Sequence, residues 1–230
     1  TKPPAKDRIE ELQETISASR LGLWLGCKLK FFFRYVLQTK KPPTPSMHCG
    51  STVHAVLQAW NLSRWRREPF SIERFKSVYH AQWKGLQTET PIRWEDGEEE
   101  AERSSAWRSL EHYFIETPIK SDERPEAVEA GVTADLSAHG LPTLVGVIDL
   151  VRSGGRITDF KVVGKTPDAE MVAHIHEAQL TTYSVLYRDA TGRTLGNASK
   201  TGASNTFRDA SGRTTSTIQQ TGTSVTGRDA

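Results

Sequence analysis

The sequence predicts an α/β layered domain with a helical N-terminal part, a short sheet and a repetitive C-terminal tail. Three observations predict it. Apolar residues recur at helical spacing through much of residues 20–115, strand-like runs fill 126–163, and helical spacing returns over 165–187. A sheet flanked in sequence by helices must bury its faces against them, which implies layers.

The elements follow in order. "RLGLWLGCKLKFFFRYVL" (20–37) reads as one apolar helix with a basic flank. From Gly50 to Arg67, Val53, Leu57 and Trp60 share a helical face, and His54 adjoins it. In 71–86, Ile72, Phe75, Tyr79, Trp83 and Leu86 keep one face apolar. A further helix is expected from Glu98 to Ile115, with Trp107, Leu110 and Phe114 inward. "EAVEAGVTADL" alternates, "TLVGVIDLV" is almost wholly apolar, and "GRITDFKVV" alternates again, giving three strands. "SGG" at 153–155 marks a hairpin between the last two. The last helix should start with Thr166 as N-cap and Pro167 at its first position.

Beyond residue 194 the composition changes. "RDATGRT" at 188–194 returns as "RDASGRT" at 208–214, and "RDA" returns at 228–230, a spacing of 20. From Leu195 onward the only large apolar residues are Leu195, Phe207, Ile218 and Val225. So little apolar surface barely offsets the entropy of ordering the chain. The expectation is a domain over 1–194 and a poorly ordered or weakly β tail over 195–230.

A net charge of +2 does not by itself imply nucleic-acid binding. The charge is uneven, however. "CKLKFFFRYVLQTKK" (27–41) carries Lys28, Lys30, Arg34, Lys40 and Lys41 among aromatics without one acid, and "RWRR" (64–67) adds arginines. Such interleaving suits a groove that tracks a nucleic-acid backbone, although a solvated face gives the same pattern. The sequence has no apolar run of membrane-spanning length, and its two cysteines, Cys27 and Cys49, make no disulfide framework. A cytoplasmic protein is therefore expected.

Three of the ionisable residues in these strands stand out. Asp149 lies among aliphatic residues, and Asp159 and Lys161 share one strand face about 6–7 Å apart. A two-residue loop, Gly154–Gly155, would turn the two aspartates to opposite faces. A loop of Ser153–Gly154–Gly155 pairs Arg152 with Arg156 and brings Asp149 opposite Asp159. Opposed carboxylates repel unless a cation lies between them, and hard oxygen ligands suit Mg²⁺ or Mn²⁺. A lysine beside such a pair completes the parts of metal-assisted phosphodiester hydrolysis. On the last helix, Gln179 and Tyr183 are polar groups at i and i+4 on the buried stripe, and need partners.

Read in order, "ISASRLGLWLGCKLKFFFRYV", "GSTVH", "GVIDLV", "DFK" and "QLTTY" resemble the RecB-like branch of the PD-(D/E)XK nuclease superfamily. That branch shows an S-x-S segment leading to C-P-x-x-F, then G-x-x-x-H, G-x-x-D, D-x-K and Q-x-x-x-Y. The resemblance runs from about Ile16 to Tyr183. It implies a restriction-endonuclease-like α/β/α core with a short mixed sheet. It also implies a metal-dependent DNA nuclease acting on ends or single strands, with a helicase or recombination protein as partner. His54, Asp149, Asp159 and the Phe160 carbonyl would hold Mg²⁺ or Mn²⁺. Lys161 would be catalytic together with the two aspartates, Gln179 and Tyr183 would position DNA, and Glu129 matches an acid often found on its strand. Two departures stand out. The family's Cys-Pro is Cys27-Lys28 here, and no cysteine follows Cys49, so no iron–sulfur cluster is expected within the chain. The repeats after Leu195 match nothing in the family. The rival expectations are a non-cleaving nucleic-acid-binding module of the same fold, or a phage or surface repeat protein.

Overall fold

The computed structural model describes residues 5–89, 91–117, 119–120, 122–163, 169–193, 203–208 and 214–223. The chain opens with α1 (Ala5–Glu14), a two-residue strand β1 (Thr15–Ile16) and α2 (Ala18–Gly26). Ser17 caps α2 by accepting the Arg20 N–H at 3.3 Å. A short α3 (Lys28–Phe31) runs directly into a π-helical turn, Phe32–Val36.

The single helix expected over 20–37 is thus two helices and a π-turn. Gly22 and Gly26 weaken the first piece, and Cys27 leaves it in an extended conformation (φ −161°, ψ 104°). The next helix, α4 (Pro45–Trp65), starts earlier than its apolar pattern, because Thr44 caps Met47 and Pro45 fits the first position. Then come α5 (Ile72–Glu89) and α6 (Glu98–Glu116), whose first turn carries Glu98, Glu99 and Glu100 against the positive end of the helix.

Three strands follow: β2 (Ala127–Ala134), β3 (Thr143–Arg152) and β4 (Arg156–Val163). After them come α7 (Ala169–Thr191), β5 (Ala203–Arg208) and β6 (Thr214–Thr223). The sequence-expected cap residues Thr166 and Pro167 lie outside the described residues. The fold is mixed α/β, with a small mixed sheet and flanking helices. β1 runs parallel to β3, and every other pairing is antiparallel. Strand order is β1-β3-β4-β6-β5, with β2 also paired to β3.

Two apolar clusters hold these elements together. One gathers Val53, Leu57 and Trp60 of α4, Phe75 and Tyr79 of α5, and Leu110 and Tyr113 of α6 onto Leu150 and Phe160. The other packs Leu180, Tyr183, Leu186 and Tyr187 of α7 onto Leu144, Ile148, Val151 and Ile157. Gly146 lets α7 approach, since a Cβ there would lie 2.7 Å from Leu186 Cδ1.

The pleat inverts within β2 and β3. Val128 packs with the first cluster, yet Val132 and Ala134, of the same parity, belong with the second. Likewise Ile148 lies in the second cluster and Leu150 in the first. Both strands exchange faces at the level of Glu129 and Asp149, which the flanking pairs Val128↔Leu150 and Ala130↔Ile148 place across from each other. Glu129 accordingly adopts φ +48°, a left-handed conformation costly for a residue with a Cβ. No alternation pattern in the sequence signals this inversion.

Candidate active site

The site is built where β3 and β4 part. Arg152↔Arg156, Val151↔Ile157 and Leu150↔Thr158 pair, so the loop is Ser153–Gly155. Both glycines have positive φ, 78° and 74°, and Glu126 accepts their N–H groups at 2.9 and 3.2 Å. The Tyr187 hydroxyl donates to the same carboxylate at 3.2 Å, which ties the hairpin to α7. A Cβ on Gly155 would meet that hydroxyl at 2.7 Å.

Carried one step further, this register would set Asp149 opposite Asp159. The ladder stops first, and Asp149 Oδ2 instead accepts the Phe160 N–H at 2.9 Å. The Asp149 side chain therefore occupies the gap between the strands. From α4, His54 Nδ1 approaches the same Asp149 oxygen to 3.7 Å, its ring edge-on to Phe160 at 6.4 Å.

His54, Glu129 and Asp149 form a cluster in which one ligand atom from each lies within 4.8 Å of the others. An imidazole nitrogen with two carboxylates is a donor set that fits a divalent ion with positions left for water. The crowding shows in the acid–base chemistry. Burial, then the charges of Asp149 and Asp159, push Glu129 up to about 7. Three carboxyl groups, of Glu129, Asp149 and Asp159, thus act on one another here.

Asp159 belongs to the other half of the site. It is 2 % exposed, and burial pushes its pKa up while Lys161 pulls it down. Lys161 Nζ lies 2.9 and 3.1 Å from its two oxygens. Gln179 Nε2 donates to Asp159 Oδ1 at 3.0 Å and to the Tyr183 hydroxyl at 2.7 Å. Burial pushes that hydroxyl up to about 12, so it stays a neutral phenol. The two polar residues on the α7 stripe thus find their partners in each other and in Asp159. The metal set expected from sequence joined His54, Asp149, Asp159 and the Phe160 carbonyl. The compact cluster instead contains Glu129, with Asp159 turned to Lys161 and Gln179.

Some site features escaped sequence reasoning. The Phe160 N–H on Asp149 is a backbone contact that no residue type announces. Glu126 looks like any surface acid, although it fixes the loop that sets the register. In sequence Arg64 belongs to a basic run suited to nucleic acid. It is buried, donating to Asn61 Oδ1 at 2.8 Å and to the Lys120 and Glu123 carbonyls at 3.1 and 2.6 Å. It braces the segment whose Glu123 carboxylate receives Arg152 at 2.6 and 2.8 Å. Its side chain is therefore structural, and no backbone-tracking groove can use it. Among the described residues, no helix is long and apolar enough to cross a membrane.

Comparison with known proteins agrees with this geometry at the level of the family. No curated protein and no solved structure matches the chain. A family model does match, over residues 15–220, a span that holds every residue of the site just described; the chain belongs to the PD-(D/E)XK nuclease superfamily.

Proposed function

We propose that the protein is a divalent-metal-dependent nuclease that hydrolyses phosphodiester bonds in DNA, acting on ends or single strands, as a RecB-like member of the superfamily. The observation that carries this reading is the convergence of His54, Glu129 and Asp149 beside the Asp159–Lys161 pair. In the same reading, helices against both faces of the sheet form a restriction-endonuclease-like α/β/α core.

His54, Glu129 and Asp149 would hold Mg²⁺ or Mn²⁺, with Asp159 close enough for its charge to act on Glu129. In extended backbone the N–H and C=O of one residue point to the same side. Because the Phe160 N–H meets Asp149, the Phe160 carbonyl points toward the same gap and is available as a further ligand. Bound there, the ion would stabilise charge developing on the phosphate and lower the pKa of a coordinated water. Asp159 holds the Lys161 ammonium at the rim of this site, where it can neutralise a phosphate oxygen or orient the attacking water. Gln179 holds the Asp159 carboxylate and the Tyr183 hydroxyl, and in this reading the two residues would position a DNA strand.

The test is incubation with end-labelled single- and double-stranded DNA, with Mg²⁺, with Mn²⁺ and with EDTA. Cleavage that requires the metal and disappears in Asp149→Asn supports the reading. Tight DNA binding without cleavage under any metal would leave a binding module of the same fold.

A further inference from the structure

The segment after β1 exposes aromatic rings that the proposed chemistry does not use. Trp24, Phe32 and Phe33 are 45, 42 and 47 % exposed, although burying a large ring is normally worth a few kcal/mol. Leu25 and Leu29 are more exposed still, so α2 and α3 present large apolar side chains to solvent. Lys28, Lys30 and Arg34 rise among these rings, and Lys28 Nζ lies 5.3 Å from the Trp24 centroid. From Thr15 to Arg67 the chain contains no acid. Although the acidic α1 packs against the π-turn, the segment itself sets cations beside exposed π faces, which matches a polyanion that carries flat apolar groups.

We propose that Trp24, Phe32 and Phe33 form a stacking platform for the bases of single-stranded nucleic acid, with Lys28, Lys30 and Arg34 contacting its phosphates. The placement rests on the nuclease reading above. α2 lies against α7, the helix that carries Gln179 and Tyr183. At its N-terminal end a groove of about 500 Å³ is lined by Ser17, Ser19, Gly131, Thr133, Gly146 and Tyr183. A strand stacked on the platform can follow α2, about 13 Å long at 1.5 Å per residue, into that groove and on to Asp159. This names the substrate class as unpaired strand, because duplex bases have no free faces to stack.

Binding is measured in EDTA by fluorescence anisotropy, using an oligo-dT of about 20 nucleotides and a blunt duplex of equal length. Metal-dependent cleavage by the wild type is scored separately, so failure of the platform and failure of the nuclease reading are distinguishable. Phe32→Leu/Phe33→Leu keeps the apolar surface and removes the π faces. It should weaken oligo-dT binding by about 5- to 100-fold and leave duplex binding unchanged. Lys28→Ala/Lys30→Ala/Arg34→Ala should reduce the slope of log affinity against log salt by about 2, or ~0.7 per lost phosphate contact. Unchanged oligo-dT affinity in the leucine variant overturns the proposal. So does concentration-dependent self-association of the wild type that Trp24→Ala abolishes without altering DNA affinity, since the occupant is then a second protein surface.

Discussion

Asp149 and Asp159 carry the same carboxylate into the same sheet and meet different surroundings. Asp149 faces an imidazole, an N–H and a second acid, whereas Asp159 is saturated by Lys161 and Gln179. Losing Asp149 and losing Lys161, the partner of Asp159, should therefore have different consequences. Asp149→Asn should weaken Mn²⁺ binding at least tenfold by calorimetry, because a neutral amide is a poor ligand for a hard cation. Lys161→Ala should retain Mn²⁺ affinity within a few-fold and lose about 10²–10³ in the cleavage rate, the usual cost of one charge-stabilising donor. Equal loss of metal affinity in both variants would show that Lys161 acts through the ligands. Glu129 gives a pH dependence. Its folded value of about 7 exceeds its ordinary 4.5, so it favours folding below pH 4.5 and that contribution is lost as pH rises through 7. Without metal, the melting temperature should therefore fall between pH 5 and 8, and Glu129→Gln should flatten the decline. Mn²⁺ should reverse it, because the ionised carboxylate then has a counter-charge. Glu123 and Glu126 shift the other way, and their contribution is lost only as pH falls below the usual carboxylate range.

At the scale of elements, the hairpin decides whether the site exists. A loop one residue shorter would reverse every side chain of β4 relative to β3. The sequence left both loops open, since Gly154–Gly155 alone is a good two-residue turn. Glu126 adds a specification that is legible only in three dimensions, accepting both glycine N–H groups. Gly155→Ala forces a Cβ into left-handed backbone and onto the Tyr187 hydroxyl. It should cost about 2 kcal/mol or more, read as a lower urea midpoint with unchanged m. Helices with a clean apolar stripe were legible: Phe75, Tyr79 and Trp83 are all buried as their spacing requires. The break at Cys27 was not. An all-round apolar run carries no phase to betray a change of direction, and Trp24, Phe32 and Phe33 are exposed. The inversion at Glu129 was hidden for a similar reason, because small and branched apolar residues on both sides of it satisfy either face.

For the whole molecule, the open question is how much of the chain the site needs. The boundary at 194 is a proposal drawn from composition, with 195–230 as a weakly β appendage. Its described parts pair with the sheet: β6 runs along β4 from Ile157↔Thr223 to Val163↔Thr217, the strand that carries Asp159 and Lys161. Two effects then compete on truncation after Arg193. Stability should fall, since β4 becomes an edge strand held to β3 by pairs only from Leu150↔Thr158 to Arg152↔Arg156. Chemistry should survive, because Asp159 and Lys161 stay together on β4 and Gln179 of α7 holds Asp159 from outside the strand, while the Phe160 N–H on Asp149 ties this stretch to β3. The expected outcome is a melting temperature lower by roughly 5 °C, about 2 kcal/mol for a domain of this size, with metal-dependent cleavage kept within a few-fold at 20 °C. A truncated chain that keeps its circular dichroism but loses Mn²⁺ binding would place β6 inside the functional domain. The strand would then be holding β4 at the separation from β3 that lets Asp149 enter the gap.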